Sequence, residues 1–192
     1  MRAMILAAGR GERMRPLTDS LPKPLLKVGD KPLIEHHLLK LQKIGVRDVV
    51  INLAWLGQKI VDYLQDGRHL GLNIYYSWET DGALETAGGI MKALPQLSEQ
   101  DQPFLVINGD IYIDYDFTDL PKLTHDQLAH LWLVDNPEHN PCGDFALTGQ
   151  YLAMLDSSSV EPGYTFSGIG LYRPSFFADH ASEKVMALAP VI

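Results

Sequence analysis

The stretch AMILAAGRG, residues 3–11, decides the fold. Its first six residues are apolar without alternation, the pattern of a short strand buried on both faces, and the run breaks at Gly-Arg-Gly. A strand covered on both faces belongs to a sheet with helices on each side. The segments that follow fit that expectation. PLIEHHLLKLQKIG, residues 32–45, puts Leu33, Ile34, Leu38, Leu41 and Ile44 on roughly one helical face, with Pro at its start and Gly at its end. DVVINLA (48–54) predicts a second buried strand, GQKIVDYLQDG (57–67) a helix, and LNIYYSW (72–78) a third strand. A helix over residues 85–94, a buried strand in PFLVINGD (103–110) and a strand in HLWLVD (130–135) continue the alternation. FALTGQYLAML (145–155) and YTFSGIGLY (164–172) then read as strands with no helix between them.

The fold class is therefore α/β: a mostly parallel, Rossmann-like central sheet flanked by helices, with a small mixed or antiparallel part in the second half. Residues 1–192 suit one domain. The last stretch, SEKVMALAPVI, begins to read as a helix. In open α/β sheets ligands bind beyond the carboxyl ends of the strands. That selects three sets of loops, residues 8–25, 79–89 and 108–110.

Composition narrows the partners. The net charge is -8, from 16 Lys and Arg against 24 Asp and Glu, which argues against broad nucleic-acid binding because backbone affinity is built from many cationic contacts. Cys142 is the only cysteine, so no intrachain disulfide can form, and a reducing compartment, the cytoplasm, is expected. The first apolar run is too short for a signal peptide and no run reaches membrane-spanning length, so no membrane partner is expected. The seven histidines show no metal-ligand spacing; His36 and His37, adjacent on a helix, diverge and read as structural.

Against this acidic background Arg10, Arg13, Arg15 and Lys23 gather around Gly9 and Gly11. Backbone amides at Gly9, Arg10 and Gly11 would cradle phosphate oxygens, and the cations would add full charges. The dinucleotide fingerprint fails, because Met14 stands where a third Gly is needed, and no Gly-Lys-Ser/Thr occurs. The longer string does match. G-x-G-x-R-M-x-P-L-T followed by P-K-P-L, with LETAGG at 84–89, NGD at 108–110 and FSGIG at 166–170, resembles the sugar-phosphate nucleotidyltransferases over essentially the whole chain.

That resemblance implies transfer of a nucleotidyl group from a nucleoside triphosphate to a sugar 1-phosphate, with release of pyrophosphate. The strings GERMRPLT, INLAWLGQKI, LETAGGI and NPEHNPCGDFAL are most similar to the branch that uses UTP and N-acetylmuramate α-1-phosphate in cell-wall recycling. A glucose- or mannose-type acceptor with another base is the other reading within the family; a non-catalytic nucleotide sensor is the reading from another class. By resemblance Arg13 holds the leaving phosphates, Lys23 bridges the α-phosphate and the sugar phosphate, and Asp110 binds Mg2+. Ala8, Gly9, Gly11, Glu12, Glu85 and Gly88 are implied for the nucleotide, and Asn108, Gly143, Ser167 and Gly168 for the sugar side, with Glu79 a weaker candidate. Gly88 and Gly89 in the first turns of a helix disfavour it by roughly 1 kcal/mol each relative to Ala, which suggests close approach to a flat ligand. A structural reading stands beside several of these: Arg15 as a brace through ion pairs, Asp110 as a turn cap, Ser167 as a hydroxyl serving its own strand end. Oligomeric state is left open between monomer and dimer. Relatives of the family continue into a W-x-D-x-G-T-like segment whose aspartate is a second metal carboxylate. Asp156 and Asp179 lie in the wrong context to replace it, so the domain is expected to be C-terminally truncated and to keep triphosphate binding better than turnover.

Overall fold

Met4 and Ile5 are neighbours in sequence and both fully buried, yet they belong to different cores. This is what a strand inside a covered sheet does, since successive side chains point to opposite faces. The computed structural model describes residues 1–80, 82, 84–155, 162–180 and 185–188. In chain order its strands are β1 (Ala3–Leu6), β2 (Lys27–Val28), β3 (Lys31–Pro32), β4 (Asp48–Leu53), β5 (Asn73–Trp78) and β6 (Phe104–Asn108). They continue with β7 (Ala129–Val134), β8 (Phe145–Thr148), β9 (Tyr151–Met154) and β10 (Thr165–Tyr172). The helices are α1 (Leu17–Ser20), α2 (Leu33–Lys43), α3 (Gly57–Leu64) and α4 (Glu85–Leu97).

The main sheet runs β5-β4-β1-β6-β10-β7. β5, β4, β1 and β6 are parallel, and β10 is antiparallel to both of its neighbours, so the sheet is mixed as expected. On one face Ile5, Val49, Ile51 and Ile107 pack with Ile34, Leu38 and Leu41 of α2 and Ile60 and Leu64 of α3. On the other, Met4, Val50, Phe104 and Val106 pack with Ala87, Ile90, Met91 and Leu97 of α4. Each such large side chain contributes about 1.5–3 kcal/mol by leaving water. β8 and β9 form a separate two-stranded hairpin, the small antiparallel part anticipated in the second half.

Two expectations need correction. α4 does not stop at residue 94 but runs through Pro95 to Leu97, because Ala93 and Leu97 are both buried on the α4 core and packing carries the last turn. Val185–Leu188 is not helical; it lies along the start of α4, where the Met186 amide donates to the Leu84 carbonyl at 3.0 Å. The remainder of the expected C-terminal helix, and Asp156, lie outside the described residues. Among the described residues no helix is long and apolar enough to cross a membrane.

β1 has β4 on one side and β6 on the other, so the chain winds away from it in both directions. The carboxyl ends of these strands align, with Leu6 beside both Asn52 and Asn108. This is the switch point at which such a sheet opens a crevice.

Candidate active site

A cleft of about 370 Å³ lies at that switch point. Leu6–Gly11 form its centre, Asn52, Glu79, Glu85 and Thr86 its β5 side, and Lys23, Pro24, Asn108 and Asp110 its β6 side. Ala8, Gly9, Gly11, Lys23, Glu85, Asn108 and Asp110, all expected from the sequence, are thus brought together.

The glycine loop is shaped by Thr18. Gly11 takes a left-handed φ of 69°, and the fully buried Thr18 donates its hydroxyl to the Gly11 carbonyl at 2.8 Å. At Gly9, by contrast, a Cβ would meet nothing within 4 Å, which leaves the backbone open to a ligand. Arg10 is held by its own loop: it donates to the Thr18 carbonyl at 2.9 Å and to Asp19 at 3.0 Å. That hydrogen bond, with Arg15 nearby, holds the Asp19 carboxyl below its ordinary range. Arg15 pairs with Asp19 and Glu12, the ion pairs of its structural reading.

On the β6 side Lys23 Nζ donates to Asp110 Oδ2 at 2.8 Å. Asp110 therefore does not cap the turn after Gly109 but faces Lys23, the one lysine that lines the cleft among the described residues. The loop that follows is held by α2. His37 Nε2 donates to the Ile111 carbonyl at 2.9 Å, and Lys40 Nζ reaches the carbonyls of Ile113 and Tyr115. Burial keeps the His37 ring below its ordinary pKa. His37 is structural, as expected, and it is the Asp110 loop that it supports.

On the β5 side a buried polar chain crosses the cleft floor. The Ala7 amide donates to Asn52 Oδ1, Asn52 Nδ2 to Glu79 Oε1, and the Leu84 amide to Glu79 Oε2, each at 2.7 Å. Asn52 and Glu79 are 3% and 4% exposed, so these bonds are not shared with bulk water. Gly89 has its place here: a Cβ on it would lie 2.8 Å from both Asn52 Nδ2 and Glu79 Oε1. Its glycine is required by packing against this pair. Gly88 does not line the cleft; its amide and that of Ala87 donate to the Met186 carbonyl. Glu85 is exposed at the rim with φ 63°, a left-handed conformation that disfavours a non-glycine residue by about 1 kcal/mol or more.

The remaining expected residues stand elsewhere. Glu12 and Arg13 occupy an exposed turn outside the cleft lining; Glu12 pairs with Arg10 and Arg15. Gly143 lies in the 136–144 loop, with Asn136 Oδ1 and the Gly163 backbone within 2.8 Å of its would-be Cβ. Gly168 (φ 85°) packs on the Asn108 side chain, and the Ser167 hydroxyl is buried with no hydrogen-bond partner among the described residues rather than serving its strand end. Cys142 is an exposed free thiol, and Asp179 is exposed and does not line the cleft. Sequence reasoning missed Asn52 and Thr86. Asn52 had a signal, a lone amide inside the apolar strand DVVINL; Thr86 lay inside the matching string LETAGG, beside Glu85.

Among the described residues no group of three His, Cys, Asp or Glu is set to hold a metal ion. Asp110 alone fits an ion that takes most of its ligands from phosphate oxygens and water.

The pattern of the family described as Nucleotidyl transferase matches residues 2–145. The N-acetylmuramate alpha-1-phosphate uridylyltransferase of Neisseria meningitidis serogroup B is 54% identical over 100% of this chain and 84% of its own length. A UTP--glucose-1-phosphate uridylyltransferase of Synechocystis is 39% identical over 67% of this chain and 35% of its own length. Among solved structures, one from Bacillus anthracis described as a glucose-1-phosphate thymidylyltransferase superposes with a TM-score of 0.81 at 21% identity, over 100% of this chain and 81% of that one. That likeness establishes the fold. Members of the family generally use a divalent metal. The cleft thus lies in a domain whose ancestry is settled: the chain belongs to the nucleotidyl transferase family.

Proposed function

We propose that the chain transfers a uridylyl group from UTP to N-acetylmuramate α-1-phosphate, giving the UDP-sugar and pyrophosphate, with Mg2+, in the cytoplasmic recycling of cell-wall sugar. The observation that carries the reaction class is the meeting of Lys23 and Asp110 beside an open glycine loop. The choice of base and acceptor rests on the 54% identity to the Neisseria enzyme.

In this reading a phosphate oxygen of the sugar phosphate attacks the α-phosphorus, and the bond from that phosphorus to the β-phosphate bridge oxygen breaks. Attack between two anions needs position and countercharge more than covalent chemistry. The amides at Gly9 and Gly11 hold phosphate oxygens, Lys23 neutralises charge between the two reacting phosphates, and Arg13 swings in from its exposed turn to the leaving pyrophosphate. Asp110 would hold Mg2+, which would supply electrostatic stabilisation of the phosphate oxygens. The carboxylates of Glu79 and Glu85 repel phosphate from the β5 side and offer acceptors to the ring N–H of uracil and to ribose hydroxyls. Ser167 and Gly168, next to Asn108, and Gly143 belong to the sugar side, and Gly88 supports the base through α4. Residues 1–192 act as one nucleotidyltransferase domain.

The test is a matrix of nucleoside triphosphates and sugar 1-phosphates assayed for metal-dependent pyrophosphate release. UTP with N-acetylmuramate α-1-phosphate is expected to lead. Turnover with a different pair would replace the substrates, and nucleotide binding with no turnover for any pair, even in a chain extended through the second metal carboxylate, would overturn the enzyme reading.

A further inference from the structure

Trp55 lies in the turn between β4 and α3, far in sequence from the glycine loop, and is partly exposed. Its indole Nε1 donates to the Thr18 carbonyl at 3.1 Å, the same oxygen that accepts from Arg10 Nη1. The Arg10 guanidinium carbon sits 3.7 Å from the centre of the Trp55 ring, within cation–π range. Among the described residues this is the one side-chain hydrogen bond that ties residues 9–20 to another part of the chain; the other side-chain bonds and ion pairs of that segment close on itself. Thr18 in turn shapes Gly11 through its hydroxyl.

We propose that Trp55 is a positioning residue for the triphosphate. Holding the Thr18 carbonyl and the face of Arg10, it fixes the 9–20 loop against the sheet, so that the amides at Gly9 and Gly11 stand ready for phosphate oxygens. Arg10 is then a pin of the loop, with its donors committed to Thr18 and Asp19, and not a phosphate ligand. Because the effect is routed through the glycine loop, Trp55 sets the affinity for the nucleotide and leaves that for the sugar phosphate alone. The inference rests on the nucleotidyl-transfer reading of the cleft.

The test compares Trp55→Leu, Trp55→Phe, Arg10→Gln and the double variant Trp55→Leu with Arg10→Gln. A hydrogen bond and a cation–π contact together correspond to about tenfold in affinity. Trp55→Leu is therefore expected to raise the dissociation constant and KM for UTP about tenfold, with the KM for the sugar phosphate within twofold of the parent. Trp55→Phe, which keeps a ring face but no N–H, should fall between. The double variant should be weaker by less than the product of the two single effects, since both remove the cation–π contact. Hydrogen exchange of unliganded Trp55→Leu should speed at amides 9–20 and stay unchanged in β1, β4 and β6. An unchanged UTP affinity, an equal rise in both KM values, or exchange that speeds across the whole sheet would each overturn the proposal. If the parent turns over another triphosphate, the same variants are measured with that one. The exchange result does not depend on which nucleotide is used, so a failed substrate assignment is distinguishable from a failed role for Trp55.

Discussion

Replacing Gly89 with alanine sets two effects of opposite sign against each other. In an open helix position the change would stabilise by about 1 kcal/mol, because glycine is the poorer helix former. Here the new Cβ would arrive 2.8 Å from Asn52 Nδ2 and 2.8 Å from Glu79 Oε1. Neither atom is free to swing aside: Asn52 is bound to the Ala7 amide and to Glu79, and Glu79 also to the Leu84 amide, all at 2.7 Å. Displacing the pair leaves at least one buried group poorly satisfied, at about 1–3 kcal/mol, and adds steric strain of similar size. The expected net effect is a loss of about 3 kcal/mol, or about 6–12 °C in a chain of this length. Urea or thermal unfolding of the unliganded protein measures it. If Gly89 served only to let a ligand approach, the unliganded variant would instead be about 1 kcal/mol more stable and only nucleotide affinity would fall. That outcome would refute the packing argument.

Lys23→Met should reduce turnover by at least about 100-fold while changing stability by less than about 1 kcal/mol, because its ion pair with Asp110 is partly exposed; a pyrophosphate assay and a melt separate the two. Arg13→Ala should leave stability within about 0.5 kcal/mol, since Arg13 is exposed and outside any ion pair among the described residues, yet weaken triphosphate binding about tenfold, read by titration calorimetry. Gly168→Ala should destabilise, as it combines a φ of 85° with Asn108 Nδ2 at 2.8 Å from the new Cβ; the unfolding midpoint reports it. Burial places the His37 pKa below its usual 6.5. The unfolded chain therefore binds the proton first, so stability is full above about 6.5 and declines as pH drops from there toward the folded-state value. His130, lowered by burial as well, acts in the same direction. Urea midpoints between pH 7.5 and 5.5 should slope less in His37→Gln than in the parent, and equal slopes would exclude the assignment.

The strands were legible because burial on both faces leaves a mark in composition. AMIL and FLVIN carry no polar residue before their ends, and both cores claim alternate positions of each. The glycine loop, Lys23 and Asp110 were legible because they lie within or directly beside matching strings. What escaped depends on contacts between distant segments. Gly89 looked like a ligand approach because nothing near it in sequence names Asn52 or Glu79, which come from β4 and the end of β5. The end of α4 was misjudged since Pro95 is a local stop signal, whereas the burial of Leu97 is a tertiary one. The non-helical course of Val185–Leu188 has the same origin: its backbone is hydrogen-bonded to the start of α4, and helical periodicity cannot register that partner.

The pairing of Lys23 with Asp110 bears on how the cleft can be ready without being blocked. A lysine fixed in one geometry gives up as much as about 1.5–2 kcal/mol of side-chain entropy. An exposed ion pair offsets that and little more, so its net worth is about 0–1 kcal/mol. With side-chain exposures of 26% and 41%, this pair belongs to that class. It therefore orders Lys23 before any phosphate arrives, yet an incoming polyanion, with several negative oxygens, needs to overcome almost nothing to draw the ammonium away. Arg13 is in the opposite state, exposed on a turn with its ordering still to come on binding. Of the four basic residues of this loop, these two should thus separate in kinetics: Lys23 weighs on the rate of the chemical step, where its position is already set, and Arg13 on the affinity for the triphosphate, where its ordering is spent.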